Sequence, residues 1–224
     1  MTIKSKMMCV FFVVNGSQSL KTETQRYEFC VKTEKKRGIL QIINYICTEK
    51  NYKPMALIKT LNGNTPQFGK NIWLADNCTV IGDVIMGDDC NVWFNAVIRG
   101  DVHSIRIGNR VNIQDNACLH ATYKTSPLNI GNSVSIAHNA VVHGCTIKDN
   151  VLIGMGAIVM DNAVIEDNCI VAAGAVVTQG TQTAPGGVYA GCPAKRIKDV
   201  DEKLQNGLIN RIVDNYAMYA DWYR

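Results

Sequence analysis

The residues of this chain best suited to chemistry are histidines, of which there are four, and three of them, His120, His138 and His143, lie close together. An imidazole changes charge near neutral pH, so it serves as a general acid or base, and in its neutral form it is a good ligand for borderline-soft metals. Three imidazoles on one ion, with a coordination position left open, is the arrangement of a catalytic rather than a structural zinc. Arg99, Asp101, Gln114 and Asp115 stand just upstream. Any one histidine is most simply a surface residue; only the elements that position them can make a set of them.

Those elements follow from an internal repeat. Aliphatic or Met residues recur six apart at Leu74, Val80, Met86, Val92 and Ile98, at Ile107, Ile113 and Leu119, at Ile130, Ile136 and Val142, and from Ile147 through Ile153, Val159, Ile165, Val171 and Val177. Four positions after most of them stands a small residue, and polar or Gly pairs fall between, as in GDDCN, GNSVS and EDNCI. Helical spacing cannot produce this period. Short strands joined by corners, where Asn and Gly relieve the bend, do produce it. The expected fold is an all-β solenoid with three strands per coil and roughly six coils, stacked so that each interior row is a ladder of like residues. Breaks in the count predict insertions at His103–Arg106 and Ala121–Asn129 and a deletion at Cys145.

Counting around the triangle places Ile98, Leu119 and Val142 on one face. The following residues, Arg99, His120 and His143, then point outward in adjacent coils about 4.8 Å apart, the spacing of neighbouring strands. His120 and His143 can share a ligand. His138 falls on another face, across a corner, where the same chain does not readily bridge to His143 but a neighbouring subunit could supply it.

Composition narrows the remaining possibilities. Residues 1–54 hold 10 Lys/Arg against 4 Asp/Glu, leaving 13 against 15 for residues 55–224, so the repeat region lacks the basic stripe of a nucleic-acid binder. No apolar run is long enough for a membrane span. Lys4 and Lys6 precede the apolar run Met7 to Val14, but the run is short and no small-x-small site follows closely, so it does not read as a signal peptide. The nine cysteines form no CxxC pair. Cys78, Cys90, Cys118 and Cys169 read as small interior residues, buried free thiols in a reducing cytoplasm. Residues 1–54 show no sustained period and read as an extension outside the fold, with the functional protein beginning at Met55. Residues 55–198 form the solenoid. Residues 199–224, with Leu204, Leu208, Ile212, Val213 and Tyr216 on one stripe, form an amphipathic helix that packs along it and caps the sheet edge. Tyr216, Tyr219 and Trp222 read as packing.

The ordered set VIRGD (Val97 to Asp101), NIQD (Asn112 to Asp115), LH (Leu119, His120) and AHNAVVHG (Ala137 to Gly144) resembles the gamma-class carbonic anhydrase family over about Gly63 to Lys198. The resemblance implies a left-handed parallel β-helix assembled as a homotrimer, with an active site at each subunit interface. It implies that His120 and His143 of one subunit and His138 of the next hold Zn2+, with Fe2+ or Co2+ equally suited to imidazole. It further implies that a metal-bound hydroxide attacks carbon dioxide to give bicarbonate, with Gln114 orienting it and Arg99, Asp101 and Asp115 forming interface ion pairs. Two departures bear on proton transfer. The best-studied members of the family carry Glu directly after the RGD and three places after the first His, where this chain has Val102 and Tyr123; His103 is the candidate substitute. Two other functions stay open: a hexapeptide-repeat acyltransferase or acyl-CoA thioesterase, since GGVYAGCPAKRI (Gly186 to Ile197) occurs in both groups, and a metal-stabilised trimer serving as a non-catalytic assembly subunit.

Overall fold

Most six-residue units fold as a strand of two or three residues and a corner because a large inward aliphatic alternates with residues that tolerate a left-handed backbone. Asn95, Asn116 and Asn139 occupy equivalent corners at φ 59°, 60° and 59°, a region that Asn enters far more readily than branched residues do. A computed structural model describes residues 55–224; the stretch 1–54, expected to be an extension, lies outside the described residues. The described chain is a left-handed parallel β-helix of about 7 turns, one more than the count of roughly six, followed by a short helix.

Every interior row is in the register that the period demands. One face stacks Val92, Ile113, Ile136, Ile153 and Val171. A second stacks Val80, Ile98, Leu119, Val142, Val159 and Val177. A third stacks Met86, Ile107, Ile130, Ile147 and Ile165. All of these side chains are buried, and burying each stabilises the fold by roughly 1.5–3 kcal/mol. A row of Ala96, Ala117, Ala140, Ala157 and Ala175, also buried, fills the space beside the second face. Along one edge a polar ladder joins consecutive coils. The backbone N–H of Lys70, Asp88, Asn109, Asn132 and Asp149 donates in turn to Asp88, Asn109, Asn132, Asp149 and Asp167 at 2.7–2.9 Å.

Three expectations need correction. Cys78, Cys90 and Cys169 are buried free thiols as read, but Cys118 is exposed. It immediately precedes the inward Leu119 in the strand Cys118–His120, so it points outward, and Ala117 takes the small interior place. Burial pushes the Cys78 and Cys145 thiols up to about 12 and that of Cys90 to about 11, which leaves them as inert packing groups. The insertion at His103–Arg106 is not a loop: the strand Val97–Ile107 runs straight through it. The pairing jumps from Gly82 opposite Gly100 to Val84 opposite Ile105, so the extra residues bulge from the edge of a continuous strand. The insertion after His120 does form a loop, closed by a bridge between Thr122 and Ser126.

The third correction concerns the tail. The sheet edge is covered by the strand Lys195–Asp199, antiparallel to Gly187–Ala190 and wholly exposed, a charged edge of the kind that discourages further pairing. Asp201 caps the following helical stretch by accepting from the N–H of Leu204 at 2.8 Å. That stretch passes through a π-helical segment, Gln205–Asn210, into the helix Arg211–Asp221. It lies on a flat face, where Ile209 packs with Leu152, Ile170 and Val188, flanked by Leu204, Leu208 and Ile212. Among the described residues no helix is long and apolar enough to cross a membrane.

Candidate metal centre

His120 and His143 end two adjacent strands of the second face, Cys118–His120 and Val141–His143, and are directly paired in register. Their neighbours Leu119 and Val142 point inward, so both imidazoles are driven outward into a half-buried row. The rings meet: His120 Nδ1 lies 3.0 Å from His143 Nε2. Behind them stand two carboxylates. Asp101 Oδ1 is 2.9 Å from His120 Nε2, and Asp161 Oδ1 is 2.6 Å from His143 Nδ1. Arg99 donates to the other oxygen of Asp101, and the Thr122 hydroxyl donates to Asp161 Oδ2 at 2.7 Å. Gly144, at φ +50°, makes room for this: a Cβ there would collide with Asp161 Oδ1.

Partial burial pushes the Asp161 carboxyl up, but hydrogen bonds from His143 and Thr122 outweigh it and hold the group below the usual carboxylate range. The same opposition, with His120 and Arg99 as donors, lowers Asp101. Both carboxylates are therefore ionised acceptors, and the outer nitrogen of each ring must donate. Asp161 stabilises the fold fully above its unfolded value near pH 4, and that contribution is lost as pH falls through its lower folded value. Asp161→Asn removes it, so thermal melts of the variant are expected to fall off less steeply below about pH 4 than those of the parent. Parallel profiles would overturn the assignment.

His138 lies elsewhere. It follows the strand Ser135–Ile136 of another face, with Nδ1 2.9 Å from Asp115 Oδ2 and Nε2 3.1 Å from the Tyr216 hydroxyl. Gln114 is on the same side, buried, with its amide donating to Asn112 Oδ1 at 2.9 Å. Within one chain the expected residues thus form two half-sites: Arg99, Asp101, His120 and His143 on one, and Gln114, Asp115 and His138 on the other. Among the described residues no three His, Cys, Asp or Glu side chains converge on a common point. The first half-site nevertheless suits a cation. Two nitrogens on one tetrahedral zinc at ~2.0–2.1 Å stand roughly 3.3–3.4 Å apart, a few tenths of an ångström beyond the observed 3.0 Å, and each ring is oriented from behind as metal-ligating imidazoles are.

Three participants were not found from sequence. Asp161 and Thr122 flank the row of histidines, and Asp161 follows His143 by 18 residues, one full coil, which is the signal that would have found it. Tyr216, read as packing, does pack against Trp93, but its hydroxyl reaches His138. No period links the helix to that corner.

Comparison with known proteins bears on the family and the fold. Residues 144–179 match the family model described as bacterial transferase hexapeptide (six repeats). The chain is 40% identical to a carbonic anhydrase of Geobacillus kaustophilus over 168 residues, covering 75% of this chain and 91% of the relative. It is 39% identical over 162 residues to the mitochondrial gamma carbonic anhydrase 2 of Arabidopsis thaliana, covering 70% of this chain and 58% of the relative. Among solved structures, a hexapeptide transferase family protein from Anaplasma phagocytophilum superposes with a TM-score of 0.70 at 33% identity, covering 75% of this chain and 98% of that one.

Proposed function

Since the chain belongs to the gamma-class carbonic anhydrase family of hexapeptide-repeat β-helix proteins, we propose that it catalyses the metal-dependent, reversible hydration of carbon dioxide to bicarbonate at sites shared between subunits of a homotrimer. The observation that carries this reading is the His120–His143 pair, two imidazole nitrogens 3.0 Å apart with an ionised carboxylate behind each ring. A single general base does not call for that arrangement.

His120 and His143 hold the cation from one subunit, and His138 of the next completes the set. Zn2+ is the first candidate, with Fe2+ and Co2+ next. Bound there, such a cation supplies Lewis acidity, bringing the pKa of a water molecule toward neutrality. Asp101 and Asp161 keep the proton of each ring on the outer nitrogen, so the inner nitrogens present lone pairs. Asp115 does the same for His138. Gln114, its amide nitrogen tied to Asn112, orients the attacking water through its remaining hydrogen-bonding capacity. Arg99 neutralises Asp101 and, with Asp101 and Asp115, lines the surface on which the next subunit docks. Val102 and Tyr123 carry no carboxylate, so another group must move the proton. His103 is suited to it: Nδ1 accepts from the Ser104 N–H at 2.8 Å, which leaves the proton on Nε2. The free thiols at Cys78, Cys90, Cys118, Cys145, Cys169 and Cys192 support a reducing, cytoplasmic setting.

Acyl transfer is the competing function, supported by the transferase name of the matched family model. The deciding experiment is carbon dioxide hydration by protein loaded anaerobically with zinc or ferrous iron, beside an acyl-CoA turnover assay. Metal-dependent hydration is expected. Acyl-CoA turnover without hydration would replace the reading with acyl transfer, and bound metal with neither activity would replace it with an assembly subunit. Asp161→Asn is expected to keep the fold and weaken zinc binding by about 10–100-fold, the usual effect of losing the partner of a ligating histidine; chelator competition measures it.

A further inference from the structure

Both ring nitrogens of His138 are occupied within one chain. Asp115 Oδ2 lies 2.9 Å from Nδ1 and the Tyr216 hydroxyl 3.1 Å from Nε2. A carboxylate only accepts, so Nδ1 carries the proton and donates to Asp115. Nε2 is left with a lone pair, and it accepts from the Tyr216 O–H. That lone pair is the one His138 would give to a cation held by its neighbour.

Tyr216 is not there by chance of a mobile side chain. Its ring stands edge-on to Trp93, with centroids 5.1 Å apart and planes at 88°, and 5.5 Å from the ring of Tyr219. Trp93 is buried, and its own indole N–H is anchored on Asn91 at 2.6 Å. The helix Arg211–Asp221, which carries Tyr216, is fastened by the Arg110–Asp214 ion pair at 2.7 Å.

Resting on the reading of His138 as the third ligand, we infer that Tyr216 is a positioning residue that caps the ligand nitrogen of His138 and competes with the cation for it. The cap has two consequences. It keeps the imidazole aimed while the site is incomplete, because the ring is held at both nitrogens. It also links the C-terminal helix to the metal: when a cation takes Nε2, the Tyr216 hydroxyl loses its acceptor and must turn to water or substrate. Competition costs affinity by the net worth of one hydrogen bond, roughly two- to tenfold.

The test uses the full chain, stripped of metal and titrated with Co2+ against a competing chelator, followed by the cobalt absorption bands. Tyr216→Phe keeps the ring packing and removes only the hydroxyl; it is expected to bind Co2+ two- to tenfold more tightly than the parent. Tyr219→Phe, one turn along the helix, is expected to match the parent, and His138→Ala to bind much more weakly. Amide exchange in the helix supplies a second readout: Co2+ is expected to change protection around Tyr216 in the parent and to leave Tyr216→Phe unchanged. Equal or weaker Co2+ binding by Tyr216→Phe, with His138→Ala still impaired, would overturn the cap and leave the ligand assignment standing. Unimpaired binding by His138→Ala would overturn the ligand assignment itself.

Discussion

His143→Ala is expected to abolish metal-dependent carbon dioxide hydration, lowering the rate at neutral pH by about 10³-fold or more, because bringing water's pKa from ~15.7 toward ~7 is the contribution that depends on a correctly held cation. The imidazole ends its strand on the outward side, its side chain 34% exposed, while Val142 beside it remains fully buried in the interior row. The fold therefore loses a hydrogen bond to Asp161 and the contact with the His120 ring, but nothing from the interior row, a cost of about 1 kcal/mol. Activity and stability separate: the melting temperature stays within a few degrees of the parent while bound metal and hydration fall together. Hydration that survives the substitution at the parent's rate would falsify the assignment of this half-site. A coincident collapse of the melt would instead show that His143 serves the fold.

The placement of that histidine was legible because the repeat is rigid. A six-residue period fixes which side chains point inward and which coil each belongs to, so Leu119 and Val142 predict the neighbours His120 and His143 without any knowledge of distance. The observed register, His143 opposite His120, is the one counted from sequence. The separation of His138 from that pair was legible for the same reason, since it lies past a corner. What the period does not encode went unread. It says that Asp101 points outward but not that its carboxylate turns onto His120, because a rotamer is chosen by the groups around it. Cys118 is a different case: the period itself puts Ala117, four positions after Ile113, in the small interior place, and the thiol one residue later faces out. The bulge at His103 interrupts the count identically whether the extra residues loop away or stay extended. Tyr216 is the furthest from view: its contact spans 78 residues, from a helix with its own period to a corner of the solenoid, and nothing local specifies where the helix comes to rest.

The rigidity that made the site readable also sets where the molecule is vulnerable. Ile136 is fully buried in the middle of its face, with Ile113 in the coil on one side and Ile153 in the coil on the other. Ile136→Ala removes three carbons from a column that cannot collapse, because the coils are held at fixed spacing by backbone hydrogen bonds such as Ser135 N–H to Val151 C=O at 2.9 Å. Deletions of this kind cost about 2–5 kcal/mol when the surroundings relax poorly, a large share of the ~5–15 kcal/mol that holds a typical domain together. In a chain of this size each kcal/mol lowers Tm by roughly 2–4 °C. The expected loss is on the order of 10 °C. Ile158→Ala makes the same chemical change at an outward position that is 38% exposed and is expected to cost no more than a few degrees. Scanning calorimetry of the two variants beside the parent distinguishes interior row from outer surface without reference to any activity. Equal losses would mean that the outward face of the strand Ile158–Val159 is itself buried in the assembled protein, as close packing of subunits on that face requires; a small loss at Ile136 would contradict the close-packed column.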